Sequence, residues 1–77
     1  MNYDLAMMAL EGLSRSRLTI NTHGPDLEIE GSGAAFKELA RLCLLLGSDT
    51  AAAGEEFELK SPLHVSGSGT LRLRRTS

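Results

Sequence analysis

The chain has 77 residues, a formal net charge of −2, 42% hydrophobic residues and 4% aromatic ones. That length holds one small domain and excludes a multidomain enzyme, a doubly wound nucleotide fold and a large barrel. The acidic balance argues against nucleic acid, the three aromatic side chains (Tyr3, Phe36, Phe57) against base stacking, and the hydrophobic fraction against wholesale disorder.

Residues 1–16, MNYDLAMMALEGLSRS, predict a short N-terminal helix or a leader. Leu5, Met8 and Leu13 fall near helical spacing, and Gly12 with Ser14-Arg15-Ser16 stops the run. Residues 17–77 form the α+β domain. In RLTINTHGPDLEIEG, Leu18 and Ile20 alternate with polar residues, as do Leu27 and Ile29, around His23-Gly24-Pro25-Asp26. Two period-2 runs about a turn of that chemistry predict a β-hairpin. Residues 33–46, GAAFKELARLCLLL, predict a helix, with Ser32 as N-cap and Gly47 as its stop. Phe36, Leu39, Ala40, Cys43 and Leu46 share one arc, expected to face the core, and Lys37, Glu38 and Arg41 share the other. Residues 47–54 are a loop of small and polar residues. Glu55 to Lys60 alternates as a strand that Ser61-Pro62 ends. Residues 63–69 are a connection with a short extended piece at 63–65, and Leu71 to Arg75 is the last strand. The order is (α)ββαββ, a two-layer domain with an antiparallel-rich sheet packed on one main helix.

Few residues offer chemistry. Gly31-Ser32-Gly33-Ala34-Ala35-Phe36 resembles a phosphate loop at a helix start, but Phe36 stands where close helix packing needs glycine. A strand-to-helix turn is the simpler reading, and Gly67-Ser68-Gly69 reads as a flexible turn. Cys43, on the apolar arc, is expected in the core. A single cysteine forms no disulfide within the chain, and with His23 and His64 it does not complete a zinc site. No nucleophile–base pair can be assembled, so neither an enzyme nor a cofactor is expected. The longest apolar run, Leu42 to Leu46, is too short to span a membrane, and Asp4 and Glu11 without a basic opening do not make a secretory signal. A cytoplasmic location follows as an expectation.

The strand charges obey one parity. With Leu27, Ile29, Phe57, Leu59, Leu71 and Leu73 facing the helix, Glu28, Glu30, Glu56, Glu58, Lys60, Arg72 and Arg74 face away. The outer sheet face is then either a solvated ionic lattice or a partner-binding surface, with Glu28, Glu30, Glu56, Glu58, Arg72 and Arg74 as its candidate contacts. Leu45 falls on the polar helix arc with Leu44 beside it. Both are candidates for self-association, since a chain this short hides only about 60% of its surface and gains from a dimer.

The strings LEIEGSGAAFKELARLCLLLG, EEFELK and SGSGTLRLRR resemble the immunity protein 32 family of bacterial polymorphic toxin systems over residues 17–75. The matching features are a strand ending in Gly31-Ser32, a helix carrying Leu39-Ala40, and a strand patterned like Glu56-Phe57-Glu58-Leu59. A small-residue turn, Ser66 to Gly69, then precedes Leu71-Arg72-Leu73. Glu58 departs from the variable or His-bearing strand expected there, and the first 14 residues have no counterpart. The resemblance implies a small cytoplasmic protein that neutralises a cognate toxin by direct binding, without catalytic residues. The alternative is a small homodimeric structural or regulatory module without a toxin partner.

Overall fold

The computed structural model describes residues 1–77 as an α+β domain. Its elements are α1 (Tyr3–Arg15), β1 (Leu18–His23), β2 (Asp26–Glu30), α2 (Gly33–Leu46), β3 (Glu56–Leu59), β4 (Val65–Gly67) and β5 (Leu71–Arg74). One cluster of buried side chains joins both helices to β1, β3 and β4.

The N-terminal segment is a helix that contributes to the core. Asn2 caps it, its Oδ1 accepting a hydrogen bond from the Leu5 N–H at 3.2 Å. Asp4 lies in its first turn and Arg15 in its last, each complementing the helix dipole. The buried residues are Ala6, Ala9 and Leu13, whereas Leu5 and Met8 are exposed. Small side chains let α1 lie close to α2. At Gly12 any Cβ would meet the Glu38 carboxylate.

Helix α2 starts and ends where the spacing predicts. The Ser32 Oγ accepts from the Ala35 N–H at 3.1 Å, which makes Gly31–Phe36 a capped strand-to-helix turn. The stop works differently from expectation. Gly47 has φ −82°, so no left-handed residue closes the helix. Instead, the Arg75 guanidinium donates from Nη1 to the carbonyls of Leu46, Ser48 and Ala51 at 3.0, 2.6 and 3.1 Å. The buried face is also turned from the expected arc. Ala35, Leu42 and Leu46 are buried and Leu39 half-buried, while Phe36, Ala40 and Cys43 are exposed. Helix α1 causes the turn, because it packs along the flank of α2 that carries Ala34, Glu38 and Arg41.

The strands form two sheets rather than one. In the first, β1 pairs antiparallel with β2 and parallel with β4, in the order β2-β1-β4. In the second, β3 pairs antiparallel with β5. The extended piece after Pro62 lies at 65–67, two residues later than predicted, and takes the second edge of β1. That leaves β3 and β5 to pair with each other. Alternation still governs burial: Leu18, Ile20, Phe57, Leu59 and Val65 are buried, and Ile29, Leu71 and Leu73 half-buried. Leu27 is the exception, 60% exposed beside the hairpin turn.

Candidate functional site

The β1–β2 hairpin carries an acidic face. Its turn passes through Gly24 at φ +60°, a conformation that glycine adopts without strain. The register places Asn21 opposite Glu28, Thr19 opposite Glu30 and His23 opposite Asp26. Opposed residues of an antiparallel pair project to the same side, so Asp26, Glu28 and Glu30 share a face with Asn21 and His23. The Asn21 side-chain amide holds two of these carboxylates, donating from Nδ2 to Glu30 at 2.9 Å and to Glu28 at 3.4 Å. His23 Nε2 lies 3.8 Å from Glu28, an ion pair only when His23 is protonated. No lysine or arginine forms an ion pair with these carboxylates. The outer edge of β2 has no strand beside it.

The β3–β5 pair is different. Glu56 stands opposite Arg74 and Glu58 opposite Arg72, two acids against two bases. Arg72 Nη2 lies 3.6 Å from Glu58 Oε2. This small sheet neutralises its own charge. The six candidate contacts therefore do not share one outer face. Glu28 and Glu30 belong to one sheet, and Glu56, Glu58, Arg72 and Arg74 to the other.

The two helix candidates also separate. Leu44 projects to solvent at 74% exposure. Leu45 is half-buried and packs on the core, because the polar arc assigned to it is the flank α1 covers. It is not a self-association residue. The largest apolar exposure lies on α1, at Tyr3, Leu5, Met7 and Met8, with Leu63 in the turn before β4. Sequence reasoning passed over Tyr3, Met7 and Leu63. The available signal was that α1 has apolar residues on nearly every side, more than one buried stripe uses. Asn21 was also missed, although its place opposite Glu28 follows from the hairpin register.

A groove of about 660 Å³ runs between α1 and α2, with Leu5, Met8 and Ala9 on one wall and Lys37, Glu38 and Arg41 on the other. Glu38 and Arg41 pair with each other across one helical turn. A second groove of about 330 Å³ lies between Met7, Leu10 and Ser14 of α1 and Leu63-His64. His64 is buried, its Nδ1 accepting from the Lys60 N–H at 3.1 Å. Burial, followed by the Lys60 charge, lowers the His64 pKa below its ordinary value. No three His, Cys, Asp or Glu side chains stand close enough to hold a metal ion. No helix is long and apolar enough to cross a membrane. Compared with family models, curated proteins and solved structures, the chain finds no match.

Proposed function

We propose that this chain is a non-enzymatic binding protein, an immunity protein that neutralises a cognate bacterial toxin by direct binding. The family reading rests on the strand and helix patterns of residues 17–75. The observation that carries the binding reading is the hairpin face, where Asn21 fixes Glu28 and Glu30 in place and no lysine or arginine pairs with them. Carboxylates already oriented lose little freedom when a partner arrives. An uncompensated acidic face steers a basic partner and sets specificity more than bulk affinity. A toxin with a basic surface, such as one acting on nucleic acid, suits it. The β3–β5 face suits it less, because Arg72 and Arg74 oppose its glutamates.

The test separates the two sheets. Charge reversal by Glu28→Lys with Glu30→Lys should slow association about tenfold or more and abolish its sensitivity to salt. Reversal by Glu56→Lys with Glu58→Lys should change it less than about threefold. The hairpin variant should move the thermal midpoint little, whereas the β3–β5 variant sets lysines opposite Arg72 and Arg74 and should lower it. The readouts are stopped-flow association with the toxin encoded beside the gene, and protection of host cells. Full protection by the first double variant would remove the hairpin from the interface. The second reading, a homodimeric module without a toxin partner, is favoured by the apolar exposure of α1.

A further inference from the structure

We infer that the smaller groove, between α1 and the turn before β4, binds the N-terminal residue of a peptide whose first side chain is aliphatic. The inference stands apart from the hairpin face and needs no second copy of the chain. Met7, Leu10, Glu11 and Ser14 recur at i, i+3, i+4 and i+7, so α1 gives one face to the groove. Leu63 and His64 form its other side. At about 330 Å³ the groove sits at the lower end of ligand-binding volumes, about 300–1,000 Å³, and suits a single residue. His64 makes it a site. The residue is only 9% exposed. Its Nδ1 accepts from the Lys60 N–H, so the neutral ring carries its proton on Nε2. Burial keeps the ring neutral near pH 7, since its pKa lies below the ordinary value. Nε2 donates to nothing in the chain, yet it is not sealed, because Glu55 Oε2 is the one sealed side-chain polar atom without a partner. The open side of the ring is the groove it lines.

The lining chooses the ligand. An N–H with no partner in an apolar groove calls for a neutral acceptor such as a carbonyl. Met7 and Leu63 are 63% and 54% exposed, and with Leu10 they call for an aliphatic group. Glu11 is the one charged side chain on the groove and forms no ion pair within the chain, so the rim attracts a cation and repels an anion. The Ser14 Oγ donates to the Glu11 carbonyl at 2.6 Å and can still accept a hydrogen bond. The first residue of a peptide carries all three groups. Its ammonium meets Glu11, its side chain meets Met7, Leu10 and Leu63, and its carbonyl accepts from His64 Nε2. A free amino acid fits less well, since its carboxylate would enter beside Glu11, and an acetylated peptide lacks the cation.

Titration with leucyl-glycyl-glycine, followed by NMR of the Met7 methyl and the His64 ring, tests it. The parent chain should show saturable shifts at both. Acetylating the peptide, or replacing it by free leucine, should weaken binding about threefold or more. Glu11→Gln should weaken the free peptide about threefold and leave the acetylated one unchanged. His64→Asn keeps an acceptor for the Lys60 N–H and should weaken both peptides about tenfold at unchanged circular dichroism. Should that variant not fold, Leu63→Ser, at an exposed position, should weaken both instead. A parent without saturable shifts would overturn the site. Binding indifferent to acetylation or to Glu11→Gln would overturn the N-terminus as ligand, and free leucine bound as tightly as the peptide would overturn the peptide. Binding indifferent to His64→Asn, or to Leu63→Ser in its place, would move the ligand out of this groove.

Discussion

Gly67 occupies a position that no other residue fits. Its φ is +99°, and it pairs in parallel register with Ile20, whose carbonyl oxygen would collide with any Cβ placed there. The Ser68 N–H donates to that same oxygen at 2.6 Å, so the close approach also makes a bond. Gly67→Ala should lower unfolding stability by about 3 kcal/mol, read as a fall in the urea midpoint at unchanged slope. The Gly67-Ser68-Gly69 run is legible in sequence only as a turn. What makes Gly67 obligatory is a strand 47 residues away, which no local pattern names. His64 supports a second prediction. Its pKa is lowered in the folded chain, so the unfolded chain binds more protons between that value and about 6.5. Stability from this group is therefore complete above about 6.5 and is lost as pH falls through the window down to the folded value. His64→Asn keeps an acceptor for the Lys60 N–H and removes the titration. It should flatten the dependence of the thermal midpoint on pH just below neutrality.

At the scale of elements, the extent of α2 was readable and its orientation was not. Ser32 and the apolar spacing depend on neighbours in sequence, so the start and end are visible there. The buried face depends on what the helix packs against. The apolar spacing within α2 alone turns Cys43 and Phe36 inward and leaves the Leu45 flank in solvent. With α1 present, Leu42 is fully buried and Cys43 exposed. Leu42→Ala should accordingly cost about 3 kcal/mol, and Cys43→Ala less than about 0.5 kcal/mol, by chemical denaturation. The expected arc would give the reverse order. Arg75 was equally hidden. It reads as one more base of an alternating strand, yet its three carbonyl contacts fasten the 46–51 corner to the end of β5. Arg75→Ala should cost about 2 kcal/mol, since a charge-assisted donor is lost and carbonyls at the helix end are left without it.

Across the whole molecule, side-chain parity was legible and strand partnership was not. Alternation is a property of each strand alone, so Phe57, Leu59 and Ile20 could be placed inside from their own neighbours. Which strand lies beside which depends on the free edge of β1, and β4 takes it after a long excursion of chain. For that reason Glu28 and Glu56, alike in sequence, end in different electrostatic settings. The hairpin face was half visible: its carboxylates follow from parity, but their lack of lysine or arginine partners follows from the split into two sheets. The open edge of β2 carries one more consequence. Unpaired strand edges invite growth of β-sheet from copy to copy, and with it precipitation. Two β2 edges meeting antiparallel, centred on Glu28, would set Glu28 beside Glu28 and Asp26 beside Glu30, like charge against like in three of the five rows. The hairpin carboxylates thereby oppose edge-to-edge growth, and replacing Glu28 and Glu30 by glutamine should shorten the lag before turbidity in concentrated samples without altering the fold.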